Sequence, residues 1–165
     1  MLGEVKKIHF VGIGGIGMSG MAELLFNLGY QISGSDLKKT NITDHLSDIG
    51  IIISIGHKED NINDIDLVVY SSAVDTANVE IEKAKKNNIP YIKRAEMLGE
   101  LLKVKNNSIA VAGTHGKTTT TSMLGVVLDY ADIDPTIVVG GIVQDFKSNS
   151  IFGKGDTIVV EADEY

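Results

Sequence analysis

The 165-residue sequence contains no cysteine, and this absence excludes disulfide bonds, thiolate zinc sites and cysteine nucleophiles. A chain without cysteine suits a reducing cytoplasm, which is the location we expect. Tryptophan is absent as well, and 4 phenylalanines and 5 tyrosines provide few stacking platforms for single-stranded nucleic acid. No apolar run reaches the roughly 18 residues of a membrane-spanning helix, so no membrane span is expected.

Positive charge is also scarce, since 15 Lys and Arg residues against 22 Asp and Glu residues give a net charge of −7. An acidic chain lacks the basic surface of a nucleic-acid-binding protein, so we expect no nucleic-acid partner. Only 2 prolines occur, whereas there are 18 glycines without a collagen period. The glycines therefore serve local turns, and the length allows one ordinary domain or two small ones.

Short apolar segments alternate with helix-like segments along the chain. The pattern predicts strands at 8–11, 31–35, 51–55, 67–70 and 90–93 and helices at 18–28, 43–49, 78–87 and 95–102. Asn41 or Thr43 is the expected N-cap of the second helix. After a polar stretch the pattern restarts, with strands at 108–112, 137–139 and 157–160 and a helix at 118–130. We expect an α/β protein with a Rossmann-like parallel-sheet domain at 1–104 and an incomplete P-loop domain at 105–165.

The first glycine loop, Gly12-Ile13-Gly14-Gly15-Ile16-Gly17, matches G-x-G-x-x-G between a predicted strand and a predicted helix. Glycines leave no Cβ in the path of a pyrophosphate, and the following helix directs its free amides at the phosphates. Asp36 ends the second predicted strand, where a ribose hydroxyl would be bound. The motif predicts nucleotide binding. The alternatives are a tight turn needed only for packing and, for Asp36, a solvated residue at a strand end.

The second glycine loop, Gly113-Thr114-His115-Gly116-Lys117-Thr118, is a shortened P-loop, because Val111 stands where the standard pattern has its first glycine. Its backbone amides can form an anion nest. Lys117 would reach the outer phosphates, and the Thr118 hydroxyl would ligate Mg²⁺. Glu161, the first residue after the predicted strand at 157–160, is the preferred further Mg²⁺ ligand. The alternative for Glu161 is membership of a solvated acidic cluster.

Several other polar residues follow predicted strands, at the edge where parallel sheets bind ligands. They are His57, Ser71, Ser72 and Arg94. For the serines the alternative is a helix cap, and for the arginine an ordinary surface position. His9 is expected to be structural because it lies within the first strand, whereas His115 is placed to touch phosphate or substrate. No histidine pair has the spacing of metal ligands.

Six segments of the chain together resemble the Mur ligases over its whole length. They are His9–Ser19, Gly34–Asp36, Tyr70–Val74, Arg94–Leu98, Gly113–Thr121 and Glu161–Glu164. The resemblance implies that the first domain holds a UDP-sugar rather than NAD. The implied contacts to that sugar nucleotide are Gly14, Gly15, Ile16, Gly17, Met18, Ser19, Asp36, His57, Ser71, Ser72 and Arg94. The implied ATP site is Gly113, Thr114, His115, Gly116, Lys117, Thr118 and Thr119, with Thr118 and Glu161 serving Mg²⁺ and Lys117 and Glu161 acting in catalysis.

The resemblance also implies a reaction, in which ATP activates the carboxylate of UDP-N-acetylmuramate as an acyl phosphate. The amine of L-alanine then displaces phosphate, in the synthesis of a peptidoglycan precursor. A sister ligase that recycles a murein tripeptide recognises the same UDP-sugar and stays open as an alternative. Mur ligases have three domains, so we expect this chain to be an N-terminal part that does not ligate alone. Outside the family, an NAD-binding regulatory module or an NAD-dependent oxidoreductase also stays open.

Overall fold

A computed structural model describes residues 2–143 and 148–162 of the chain. The chain divides into two compact units, one ending at Met97 and the other starting at Leu98. The sequence places the domain boundary slightly later, between residues 104 and 105. Within the described ranges, no helix is both long and apolar enough to cross a membrane.

The first unit is built on a five-stranded parallel sheet. Its strands are β1 (Lys7–Val11), β2 (Gln31–Asp36), β3 (Ile52–Ile55), β4 (Leu67–Tyr70) and β5 (Tyr91–Lys93). They lie in the order β3-β2-β1-β4-β5, with β1 in the centre. His9 on β1 is level with Ser33 on β2 and Val68 on β4. Parallel strands covered on both faces read as apolar runs, and this explains why β1 and β4 are recognisable in the sequence.

Four α-helices and a 3₁₀ turn connect these strands. They are α1 (Ile16–Asn27), α2 (Asn41–Asp48), the 3₁₀ turn at Glu59–Ile62, α3 (Val79–Lys86) and α4 (Arg94–Leu101). The predicted cap of α2 was wrong, because Thr40 is the N-cap. The Thr40 side chain accepts a hydrogen bond from the Thr43 amide, and the Thr43 hydroxyl accepts one from the Thr40 amide. This reciprocal pair satisfies two amide groups and sets the start of the helix.

Apolar residues are buried on both faces of the first sheet. One cluster contains Val11, Ile62, Val68, Tyr70, Ile81 and Ala84. Other fully buried large side chains are Ile8, Phe10, Met18, Met21, Leu25 and Leu46. Successive side chains of a strand point to opposite faces, so β1 contributes to the packing on both sides.

The second unit contains a four-stranded sheet and one long helix. Its elements are β6 (Asn107–Val111), α5 (Lys117–Tyr130), β7 (Thr136–Val143), β8 (Ser148–Ile151) and β9 (Thr157–Glu161). The order is β6-β9-β7-β8, in which β6, β9 and β7 run parallel and β8 runs antiparallel to β7. The sequence does not predict β8, and it predicts a β7 that is too short. The expectation of parallel strands therefore fails for this one edge strand.

Candidate functional site

The first glycine loop is held against the carboxyl ends of β1 and β2. The amides of Gly12 and Ile13 both donate to the Ser35 carbonyl, at 2.9 and 3.0 Å. Gly12 has a φ of +82°, and a Cβ there would lie 3.1 Å from Cγ2 of Val74 and 3.2 Å from Cβ of Ser71. Glycine is required here by both its backbone angle and its close neighbours.

Asp36, which is predicted to bind a ribose hydroxyl, accepts a hydrogen bond from the first glycine loop. The Gly14 amide donates to Oδ2 of Asp36 at 2.9 Å, and the Lys38 amide donates to Oδ1 at 3.2 Å. A Cβ at Gly14 would lie 2.8 Å from Oδ2 of Asp36, so a side chain there would force the Asp36 carboxylate to move. Asp36 therefore fixes the loop in the free chain, while its contact with a ribose stays a prediction.

Gly15 differs from its neighbours, because the fold leaves room for a side chain there. It is the N-cap of α1 with an ordinary extended backbone (φ −67°, ψ 142°). A Cβ at Gly15 would have its nearest neighbour, the Gly12 carbonyl oxygen, at 3.6 Å, an ordinary contact. α1 begins at Ile16, two residues before the predicted Met18, so the amides of its first turn belong to the loop itself. The fold itself therefore does not require glycine at this position. A glycine at the positive end of a helix is typical of sites where an anionic ligand approaches the backbone closely.

Two predicted contacts lie inside the first unit. The Met18 side chain is 1% exposed and packs in the core, and Ser19 is 6% exposed. The Ser19 hydroxyl donates to the carbonyl of Ile16 at 2.9 Å. Contact between Met18 and a ligand would therefore have to come through its backbone.

Arg94 comes from the far end of the unit and lies against the last glycine of the loop. A Cβ at Gly17 would meet Nη1 of Arg94 at 2.7 Å. Arg94 is the first residue of α4, directly after β5. The fold thus brings a guanidinium group to the positive end of α1, where a diphosphate would be stabilised by both.

The two predicted serines follow β4 at the same edge of the sheet. The Ser71 amide donates to the Val11 carbonyl at 3.1 Å, which ties this turn to the end of β1. The Ser71 hydroxyl accepts a hydrogen bond from the Ala73 amide at 3.3 Å, and Ser72 is exposed. Ser71 thus lies beside the glycine loop.

His57 lies at this edge in a polar network whose acidic member, Glu80, the sequence does not single out. Nδ1 of His57 is 2.9 Å from Oγ of Ser35 and 3.1 Å from Oε2 of Glu80. Ser35 donates to the same Oε2 at 2.5 Å, and Nδ2 of Asn61 donates to Oε1 at 2.5 Å. His9, also buried, holds Ser33 through Nδ1 at 2.8 Å and has its Nε2 at 3.7 Å from Glu80.

Glu80 is fully buried, and the groups around it favour its ionised form. Burial raises the pKa of Glu80 and is the largest single influence, but His9, Ser35 and Asn61 together outweigh it and lower the pKa to about 2. Glu80 belongs to a polar helix whose sequence shows only acids before bases. The burial of Glu80 results from tertiary packing and cannot be recognised in the local sequence. The one local signal is that Glu80 lies in the first turn of α3, where an acidic side chain is favoured.

The second glycine loop obtains its shape from two backbone angles. Gly113 has a φ of +150° and Gly116 a φ of +77°, a region that other residues seldom adopt. Gly116 is the N-cap of α5, and the Lys117 ammonium group donates to the Gly113 carbonyl at 2.7 Å across the loop. Three further predicted contacts, Thr114, His115 and Thr119, are exposed.

Thr118 and Glu161 meet although 43 positions separate them in the sequence. The Thr118 hydroxyl lies 2.9 Å from both carboxylate oxygens of Glu161, which is 8% exposed at the end of β9. A hydroxyl and a carboxylate are the oxygen donors that Mg²⁺ prefers, so this pair fits that ion. Across residues 2–143 and 148–162, no group of three His, Cys, Asp or Glu side chains could hold a metal. Asp163 and Glu164 of the same acidic segment lie outside the described residues.

The catalytic-domain profile of the Mur ligase family matches residues 7–106. The chain belongs to the Mur ligase family. Among its curated relatives, UDP-N-acetylmuramate–L-alanine ligase of Pelobacter propionicus is 56% identical over 99% of this chain and 35% of the relative. The ligase of the same name from Roseobacter denitrificans is 53% identical over 98% of this chain and 34% of the relative. The chain thus spans about a third of the length of these Mur ligases.

Solved structures confirm the Rossmann-like α/β fold. UDP-N-acetylmuramate–alanine ligase of Thermotoga maritima has a TM-score of 0.84 and 40% identity, over 94% of this chain and 37% of that one. UDP-N-acetylmuramate:L-alanyl-γ-D-glutamyl-meso-diaminopimelate ligase of Neisseria meningitides has a TM-score of 0.86 and 31% identity, over 98% and 53% respectively. The predicted resemblance to Mur ligases is therefore confirmed both by sequence and by fold.

Proposed function

We propose that this Mur ligase chain binds UDP-N-acetylmuramate at its first glycine loop and ATP with Mg²⁺ at its second. The whole protein would join L-alanine to the sugar's carboxylate, in peptidoglycan precursor synthesis in the cytoplasm. The observation that carries the proposal is the 56% identity, over nearly the whole chain, to a ligase named for that reaction. The domain boundary near residue 104 and the individual site residues belong to the same proposal.

The first site supports binding of a diphosphate. The amino end of α1 and the Arg94 guanidinium group meet at Gly17, so positive charge is concentrated there. Gly15 leaves the backbone open to close approach, while Asp36 holds the loop through the Gly14 amide. The remaining contacts to the nucleotide would come from the neighbouring edge residues His57, Ser71 and Ser72.

The second site supports phosphoryl transfer. Lys117 would exchange the Gly113 carbonyl for the outer phosphates of ATP. Thr118 and Glu161 would hold Mg²⁺, which supplies neutralising charge for the phosphates when it is bound. The substrate carboxylate would attack the γ-phosphorus with ADP leaving, and the alanine amine would then attack the acyl carbon with phosphate leaving. The residues of the chain contribute mainly positioning and charge.

Calorimetry of the 165-residue chain with UDP-N-acetylmuramate and, separately, with NADH tests the first site. We expect the UDP-sugar to bind and NADH to bind more weakly or not at all. A preference for NADH would overturn the proposal in favour of a dinucleotide-binding module or an oxidoreductase. Because the chain is about a third as long as its relatives, we expect it to release no phosphate in response to L-alanine.

A second candidate is ligation of a preformed peptide to the same UDP-sugar. The TM-score of 0.86 to the diaminopimelate-tripeptide ligase supports it, whereas the identity of 31% to that ligase against 40% to the alanine ligase favours alanine. A phosphate-release assay on the protein at the length of its relatives, with L-alanine or with the tripeptide as the amine, distinguishes the two. Faster turnover with the tripeptide would replace the first candidate by the second.

A further inference from the structure

A buried carboxylate lies behind the edge of the first sheet at the proposed sugar-nucleotide site. Glu80 is 0% exposed, and its side chain is hydrogen-bonded to two segments that are distant from it in the sequence. Ser35 at the end of β2 and Asn61 in the 3₁₀ turn each donate to it at 2.5 Å, and the Lys58 amide donates at 3.3 Å. Burying a charge costs free energy unless the charge is hydrogen-bonded, so these hydrogen bonds are needed to keep Glu80 in the interior.

The network determines which nitrogen of His57 carries the proton. The ionised Glu80 carboxylate can only accept hydrogen bonds, and the Ser35 hydroxyl donates its hydrogen to Glu80. Both groups that contact Nδ1 of His57, the Ser35 oxygen at 2.9 Å and Glu80 Oε2 at 3.1 Å, can then only accept. Nδ1 must therefore be the protonated nitrogen, and in the neutral ring Nε2 is left as an acceptor.

The same contacts fix the orientation of the ring. Nδ1 faces two fully buried partners, and the His57 side chain is 12% exposed. Because Nδ1 already contacts two buried groups, Nε2 is the ring nitrogen left to meet a ligand. Asn61 also donates to the Gly56 carbonyl at 3.2 Å, so the residue before His57 is held by the same network.

We infer that Glu80 is a positioning residue that fixes His57 in the Nδ1–H tautomer, so that Nε2 accepts a hydrogen bond from a hydroxyl or imide N–H of the bound sugar nucleotide. The inference rests on the proposed function for its ligand. The orienting of an imidazole by a carboxylate at its other nitrogen is a device common in enzyme sites. Here it would place a hydrogen-bond acceptor at the same edge of the sheet as the first glycine loop, where the start of α1 and Arg94 supply positive charge.

Nitrogen-15 NMR of the free chain tests the tautomer without any ligand. At about pH 8, where an ordinary imidazole is neutral, long-range correlations distinguish a protonated from an unprotonated ring nitrogen. We expect the His57 signal, assigned by its loss in His57→Gln, to show Nδ1 protonated, the opposite of the form that free histidine favours. A protonated Nε2 and bare Nδ1 would overturn the inference.

Glu80→Gln tests the positioning, with Glu82→Gln as the matched control on the same helix, since Glu82 accepts a hydrogen bond from the exposed Lys85. We expect Glu80→Gln to change the nitrogen-15 signals that show which ring nitrogen of His57 is protonated. We also expect it to weaken UDP-N-acetylmuramate binding about 10-fold, the size of one lost hydrogen bond. The control should change neither. Unchanged affinity together with a changed tautomer would contradict the positioning role.

Two further measurements test the inference if Glu80→Gln does not fold or if the chain binds no UDP-sugar. If Glu80→Gln does not fold, His57→Gln, which alters a partly exposed side chain, should still weaken UDP-sugar binding about 10-fold, and unchanged affinity would refute the contact. If the unmodified chain binds no UDP-sugar, the proposed function fails. The NMR result on the free chain then decides the tautomer independently.

Discussion

The two glycine loops follow the same plan, a strand, a glycine turn and a helix, but they need their glycines for different reasons. In the first loop, a Cβ at Gly14 or Gly17 would collide with Asp36 or Arg94. In the second loop, a Cβ at Gly116 would meet no atom within 4 Å in the described part of the chain, and its φ of +77° is what demands glycine. The first loop is therefore shaped mainly by neighbours from elsewhere in the unit, with a positive φ at Gly12 alone, whereas the second is shaped by its own backbone.

Gly15 is the exception within the first loop, and replacing it should have the largest effect on ligand binding. Gly15→Val should weaken UDP-N-acetylmuramate binding by at least about 100-fold, or about 2.7 kcal/mol, because a side chain would occupy the ligand's approach. Calorimetry measures the affinity. Gly15→Ala should leave the free energy of unfolding within about 0.5 kcal/mol, because the fold has room for a Cβ.

The companion variant Gly14→Ala separates fold from ligand within the same loop. It should lower the free energy of unfolding, since its Cβ would lie 2.8 Å from Asp36. If Gly15→Val binds the sugar nucleotide normally, the first loop is not part of the site. If Gly15→Ala is as unstable as Gly14→Ala, the steric distinction is wrong.

Acid should selectively weaken the first unit through Glu80. Its pKa is lowered from 4.5 to about 2. Between these pH values, Glu80 is protonated in the unfolded chain but not in the folded chain. The resulting stabilisation, about 3 kcal/mol, is complete above about pH 4.5 and is lost as the pH falls toward 2. Urea unfolding followed by circular dichroism at a series of acidic pH values measures it.

Glu80→Gln should remove most of this acid dependence, whereas Glu82→Gln should keep it. Hydrogen bonding to Lys85 also lowers the pKa of Glu82, but that side chain is partly exposed. If the free energy of unfolding falls equally with pH in the unmodified chain and in Glu80→Gln, the hydrogen bonds do not keep the buried carboxylate ionised.

Gly116→Ala tests the backbone explanation for the second loop. A non-glycine residue in the left-handed region costs about 1–2 kcal/mol, so the variant should unfold more easily by that amount even though no clash arises. Gly116→Asn should lose less, because asparagine tolerates this conformation better than alanine. Thermal unfolding of the three proteins measures the difference, and an unchanged alanine variant would remove the contrast between the loops.

The smallest expected effect concerns the proposed metal pair of the second loop. Thr118→Val removes the hydroxyl that contacts Glu161 and should weaken ATP binding in the presence of Mg²⁺ about 10-fold, or about 1.4 kcal/mol. Thr118→Ser keeps the hydroxyl and should restore most of the affinity. ATP titrations with and without Mg²⁺ measure this, and a valine variant that responds normally to Mg²⁺ would contradict the assignment.

Much of the first unit can be predicted from the sequence because its signals are local. The apolar run of β4 predicts Leu67–Tyr70, as observed, and Asn78 caps α3 by accepting from the Glu80 amide. The cap of α2 could not be assigned correctly, because Thr40 and Thr43 act as a pair and either one alone is a plausible cap. Edge strand β8 has a polar sequence and obtains its structure from pairing with β7.

The sequence alone determined the two strand–glycine–helix units, the glycines at the turns and the lysine and threonine of the second loop, because turn geometry and phosphate chemistry depend on adjacent residues. Only the tertiary structure decided that Arg94 lies against Gly17, that Thr118 meets Glu161 and that Glu80 is buried behind His57. Parallel strands bring residues far apart in the chain to one edge of a sheet. Which of them then touch depends on register and packing, which no local pattern contains.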